Sequence, residues 1–347
     1  MAMEVLDSLT SWNGSGRKSS GVILAKTEQV EDVLSRRILK EIMACGAALS
    51  FFLIAPGAAQ ATNINLAVAS NFYGDGVAGT NTSIIADIIS DFQNAYSGYT
   101  VTVVANGATQ TLKNQITTGN TSAVDLFLAA DYTTPQDLAA NYSTMVTGQA
   151  FPYALGVLAI LSNTTAYNVS CGGAGSCGFT TGAGYTSVAI AAPTLAPYGE
   201  AARELLWQQF GIDYTTVTTI HTYTNITAAY NAVVNRTDPV GFVALSALCT
   251  SGNYPKAITT PLPANVQTAY AYSPFETTAT SIARFYKPLL QGGIAITIGT
   301  SRTGPQNTEL TAFKTFLQNF TVKVSSSTSD SAMVTRLKQY CYSPPSQ

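Results

Sequence analysis

Apolar residues recur along this chain in two alternating rhythms, short β-branched runs and longer stretches spaced for a helix. Asn63 to Ala69 alternates and ends in apolar residues, and Ser83 to Tyr96 then carries Ile84, Ile85, Ile88, Ile89 and Phe92 at helical spacing. Thr100 to Ala105 is a β-branched run, Thr111 to Thr118 is helical, and Val124 to Ala130 reads as a buried strand. The order is therefore strand, helix, strand, helix, strand. An apolar run from Tyr153 to Ser162 opens a second stretch, with strands predicted over Ser187 to Ala192 and Val240 to Leu245 and helices over Gly199 to Phe210 and Ala228 to Asn235. A returning strand, Gly293 to Ile298, and two helices, Thr308 to Asn319 and Ser331 to Tyr340, complete the pattern. Alternation of this kind predicts an α/β protein with mainly parallel sheets and helices on both faces.

The N-terminal part obeys a different rhythm. Arg36, Arg37 and Lys40 precede an apolar run from Ile42 to Ala55, and Ala59-Gln60-Ala61 fits a small-residue cleavage pattern. Residues 35 to 61 thus read as a secretory signal cleaved near Ala61, with a mature chain starting near Thr62 in the periplasm or another extracytoplasmic space. Ser35 to Lys40 partly matches a twin-arginine export motif, and the ordinary route is favoured. Residues 1 to 34 mix both charges and are read as an unstructured extension or a start codon placed too early.

Composition narrows the partners. The 347 residues suffice for two domains, and 46% hydrophobic content supplies their cores. Only 10% of residues are charged and the net charge is −2, which argues against nucleic acid and against a lipid surface. Removing the signal discards Cys45 and leaves Cys171, Cys177, Cys249 and Cys341, an even count that suggests two disulfides in an exported chain. The flexible Cys171 to Cys177 loop is expected to close on itself, leaving Cys249 to pair with Cys341. A metal site is disfavoured, because His221 is the single histidine and there is no Cys-x-x-Cys pair.

Four stretches look like helix starts able to hold one small anion: Val68-Ala69-Ser70-Asn71, Asn106-Gly107-Ala108-Thr109, Ala196-Pro197-Tyr198-Gly199 and Thr224-Asn225-Ile226-Thr227. None contains Lys, Arg or His. Amides and hydroxyls fixed before binding grip an oxyanion but offer no base for turnover, so the pattern points to capture without catalysis. A secreted α/β hydrolase is the rival from another class. It lacks a Gly-x-Ser-x-Gly elbow and has only His221 as an imidazole. Taken singly, Ser70, Thr109 and Asn225 are also ordinary N-cap residues.

From about residue 62 to 343 the chain resembles the periplasmic molybdate-binding proteins that feed ABC importers. The matching blocks are Ala67 to Phe72, Gly107 to Ile116, Ala123 to Asp131, Ala192 to Ala202 and Gly241 to Ser246, of which Ala196-Pro197-Tyr198-Gly199-Glu200-Ala201-Ala202 is the most specific. The resemblance implies a two-lobed binding-protein fold of the second type, with two crossovers and the anion in the cleft. Residues 62 to 152 plus 292 to 347 form one lobe and 153 to 291 the other. It further implies that Ser70 and Asn71 donate at the first helix start and Thr109 at the second. Tyr198 and Ile226 give backbone N–H groups from across the cleft, Pro197 presets the helix entry and Asn225 orients the last turn. The implied ligand is molybdate or tungstate, bound without a cofactor by a monomer and delivered to a membrane ABC permease. Sulfate or another tetrahedral oxyanion is the alternative ligand. The chain departs from many relatives at Ala108, where a second small hydroxyl is missing, and at Ala244, where some relatives place a ligand-contacting Tyr.

Overall fold

The computed structural model describes residues 62–74, 83–119, 123–162, 186–249, 286–297, 302–322 and 329–345. The N-terminal extension, the export signal and the Cys171 to Cys177 loop lie outside the described residues.

Two sheets carry the fold. In the first, strands β1 (Thr62–Ala69), β2 (Tyr99–Gly107), β3 (Leu126–Ala129), β4 (Val146–Gly156) and β9 (Leu289–Ile296) stand in the order β2-β1-β3-β9-β4. The second holds β5 (Leu158–Ser162), β6 (Val188–Ala191), β7 (Ile220–Tyr223) and β8 (Val240–Ala244) in the order β5-β8-β6-β7. Strand β1 pairs parallel with both neighbours, as does β6, while β9 runs antiparallel to β3 and β4, and β5 antiparallel to β8. Parallel pairs thus account for four of the seven pairings among the described residues.

The central strands are apolar because each sheet is covered on both faces, whereas the edge strands β2 and β7 carry polar, exposed positions. The period-2 alternation of strand side chains sorts them into separate cores. Ile64, Leu66 and Val68 of β1 and Leu126 and Leu128 of β3 meet Ile84, Ile85, Ile88 and Phe92 of helix α2 (Ile84–Ala95), Phe313 of α7 (Gly304–Leu317) and Met333 of α8 (Ala332–Gln339). Ala67, Phe127 and Ala129 point the other way, onto Leu112 and Ile116 of α3 (Thr109–Thr118) and Leu138 of α4 (Thr133–Asn141). In the second sheet, Leu158, Ile160, Val188, Ile190 and Phe242 face α5 (Pro197–Phe210), whereas Ala159, Leu161, Ala189 and Val243 face α6 (Ile226–Val234).

Three features were not legible in the sequence pattern: α4, the edge strand β7 and the first half of β4, while the helix start expected at Ser70 is a single turn, α1 (Ser70–Tyr73). Helix α4 buries only Thr134, Pro135 and Leu138, and β7 is a polar Ile-His-Thr-Tyr edge, so neither carries a strong apolar period. Strand β9 begins four residues before the predicted Gly293, at Leu289.

The chain passes from the first sheet to the second between Gly156 and Leu158, and β9 belongs to the first sheet again. The C-terminus adds a covalent link. Cys341, just after α8, forms the expected disulfide with Cys249, which follows β8. Beside it, Ser343 pairs antiparallel with Leu155 of β4.

Candidate functional site

Strands β1 and β6 each have parallel partners on both sides, and the connections leave them in opposite directions. A crevice opens at the carboxyl ends of such strands, where ligands bind in open α/β sheets. Ser70 directly follows β1, Thr109 closely follows β2, Pro197 lies beyond the end of β6 and Ile226 beyond the end of β7. All four predicted helix starts therefore sit at the carboxyl ends of strands.

Three of the four lack a capping side-chain bond, as does α2, whose N-cap Ser83 makes none. The N-cap residues of α1, α3 and α5 are Ala69, Ala108 and Ala196, none of which supplies a side-chain oxygen. Elsewhere Thr303 and Ser331 cap α7 and α8, and the Asp131 carboxylate accepts from Thr134 N in the first turn of α4. Ser70 and Thr109 are thus the first residues inside their helices, not caps. An alanine N-cap gives up about 1 kcal/mol relative to Ser or Asn and leaves the first-turn amides without a side-chain partner. Asn225 behaves as a cap, accepting from Ala228 N at 2.8 Å.

Tertiary packing gathers the starts. Ala69, Ala108, Ala196, Tyr198, Ile226 and Ala244 belong to one buried cluster spanning the two sheets. Gln110 N, in the first turn of α3, donates to Leu195 O just before α5 at 3.1 Å. Thr227 Oγ1, in the first turn of α6, donates to Ser70 O at 3.2 Å. Ser70, Asn71, Thr109, Tyr198 and Ile226 are all buried and Pro197 and Asn225 are half-buried, but only Asn71 and Ile226 of these line the small pocket at the site.

Individual groups are oriented for donation. Thr109 Oγ1 accepts from Ala130 N at 3.0 Å, which leaves its proton to donate to a ligand. Asn71 donates through Nδ2 to the Tyr342 hydroxyl at 3.0 Å, and its Oδ1 has no partner among the described residues. A small pocket beside it is lined by Asn71, Gly74, Ile226, Thr227, Tyr230, Ala244, Ser246 and Ala247. No lysine, arginine, histidine or carboxylate appears in that lining. Among the described residues, no group of three or more His, Cys, Asp or Glu side chains is placed to hold a metal ion.

The ring of Tyr198 serves a different purpose from its amide. Its hydroxyl reaches into the crossover strands, accepting from Gln291 Nε2 of β9 at 3.3 Å and lying against Gly156 at the end of β4. Tyr153 donates to Gln291 Oε1 at 2.9 Å and extends this buried polar chain. Burial pushes the Tyr198 and Tyr153 phenols well above their usual range, reinforced for Tyr198 by the neighbouring Tyr342 and Tyr286 hydroxyls, so both remain protonated. Gly199 follows because a side chain there would strike the Ala191 carbonyl. His221 is committed elsewhere, with Nδ1 2.7 Å from the buried Asp238 carboxylate. Tyr223 donates to the same carboxylate, and burial with that bond pushes its phenol up to about 12.

Tyr230, Tyr342 and Gln291 join the site or its support without a signal in the sequence, whereas Thr227 lay within the predicted Thr224 to Thr227 helix start without a role of its own. Ser246 ends the matched Gly241 to Ser246 block, which was its one available sign.

Two α/β sheets thus bring four helix starts, three of them without a capping side chain, into one buried cluster. The chain belongs to the bacterial extracellular solute-binding protein family, whose sequence profile matches residues 76–321, and this places it outside the cytoplasm. The molybdate-binding protein ModA of Azotobacter vinelandii is 32% identical over 195 residues, spanning 56% of this chain and 69% of the relative. ModA of Rhodobacter capsulatus is 36% identical over 150 residues, 43% of this chain and 55% of the relative. The solved periplasmic molybdate-binding protein of Azotobacter vinelandii superposes with a TM-score of 0.58 at 20% identity, covering 82% of this chain and 100% of the other. The sulfate-binding protein SubI of Mycobacterium tuberculosis gives 0.53 at 12% identity, with 82% and 86% covered. Both superpositions are likenesses of fold.

Proposed function

We propose that this protein captures molybdate, and with it the similarly sized tungstate, between two lobes and hands it to an ABC permease in the membrane. The observation that carries the reading is the set of helix starts with Ala69, Ala108 and Ala196 at their N-caps, buried in one cluster, beside a pocket whose lining holds no Lys, Arg, His or carboxylate. Donors at Ser70, Asn71, Thr109, Tyr198 and Ile226 match a fully deprotonated tetrahedral dianion, whereas a protonated phosphate also needs an acceptor. The ModA relatives support the same ligand. In this reading each sheet belongs to one lobe, with the crossovers after Gly156 and before Leu289, a few residues from the 152/153 and 291/292 bounds expected from the sequence, and closure on the anion creates the surface that a monomer offers its permease. Export precedes this, with cleavage near Ala61.

Titration calorimetry of the purified protein with molybdate, tungstate, sulfate and phosphate in parallel tests it. Tight binding of molybdate and tungstate with weak sulfate and phosphate is the expected result. Tighter sulfate binding reassigns the ligand, and silence toward all four discards oxyanion capture.

A further inference from the structure

The geometry points to Tyr342 as a positioning residue of the oxyanion site, its hydroxyl setting which end of the Asn71 carboxamide faces the ligand. This rests on the reading just given. The Tyr342 hydroxyl lies 3.0 Å from Asn71 Nδ2, 3.0 Å from Asn71 O and 3.1 Å from Ser246 Oγ. Asn71 is 2% exposed and lines the pocket with Oδ1 unpartnered among the described residues, so an acceptor is presented where an anion needs a donor. A phenol hydroxyl both accepts and donates, so it can hold either end of a carboxamide. When the carboxamide turns over, Tyr342 moves its proton from Asn71 O to Oδ1 and Nδ2 swings to the anion, so one donated bond of the hydroxyl is exchanged for another.

The backbone around Tyr342 is fixed for this task. Cys341 is bonded to Cys249, Tyr342 N donates to Leu337 O at 2.8 Å, and Ser343 exchanges two backbone bonds with Leu155. The ring packs edge-on against Phe72 with centroids 5.4 Å apart. Because the same hydroxyl reaches Ser246, beyond β8, the state of Asn71 after β1 is coupled to the position of the second sheet.

The test is a double-mutant cycle on molybdate affinity, supported by side-chain amide NMR of Asn71. Tyr342→Phe keeps the ring and removes the hydroxyl. The dissociation constant for molybdate is expected to rise about tenfold, and by less than about twofold when Asn71 is already Ala. Equal effects in both backgrounds would show that Tyr342 acts only through general packing, and would overturn the inference. In ligand-free protein, Tyr342→Phe is expected to move the Asn71 side-chain amide signals. Unchanged signals overturn the inference even if the wild-type protein binds none of the four oxyanions, a result that by itself removes only the functional reading.

Discussion

At the scale of single residues, Thr109 carries the most specific expectation. Its hydroxyl accepts from Ala130 N while its own amide opens helix α3, so it joins the scaffold to the ligand position. Thr109→Val removes the donated proton and also strands the Ala130 amide. Molybdate binding should weaken by roughly 1 to 3 kcal/mol, read by calorimetry, and Thr109→Ser should recover most of it. If Val binds as tightly as Thr, the hydroxyl serves the scaffold alone. Tyr198 shows why residue identity in sequence can mislead about role. The Pro-Tyr-Gly motif was legible, but nothing local tells that the ring leaves the pocket and plants its hydroxyl beside Gln291, 93 residues away in sequence.

At the scale of elements, the informative contrast lies between helices that carry a capping side chain and helices that do not. Thr303 and Ser331 stabilise helices α7 and α8 locally, whereas Ala69, Ala108 and Ala196 give that stabilisation up where amides face the crevice. Propensity at these positions was readable, but that Ser70 and Thr109 fall inside the helix and not at the cap depended on where the preceding strand ends. The crossover from β4 to β5 is equally exacting. A side chain on Gly156 would collide with the Tyr198 hydroxyl and crowd Gln291 Nε2 at 2.9 Å. Gly156→Ala should lower unfolding stability by about 1 to 3 kcal/mol in denaturant titrations, and combining it with Tyr198→Phe should return part of that loss. A Gly156→Ala protein as stable as the parent would mean that the crossover strands yield without strain.

At the scale of the whole molecule, the two sheets are joined by the direct β4–β5 crossover and by the Cys249–Cys341 bond, which closes a sequence separation of 92 residues. In the chain-entropy picture a loop of this size contributes on the order of 4 to 5 kcal/mol by restricting the unfolded chain. Replacing both cysteines by serine should therefore lower the melting temperature markedly, measured against the parent protein. No change would indicate that the Leu155–Ser343 pairing and the Arg336 contacts with Asp87 and Asp91 hold the C-terminus unaided.

By itself the sequence determined the alternation of strands and helices, the apolar faces, the absence of charge at four helix starts and the cysteine available to each partner. These are local or compositional properties, set by spacing along the chain. Only the tertiary structure decided that four starts, as far apart as Ser70 and Ile226, share one buried cluster, and that Tyr342 and Ser246 close on Asn71. Such contacts join residues up to 271 positions apart. Their energy comes from mutual burial and hydrogen-bond completion, which no segment can supply before the two sheets meet.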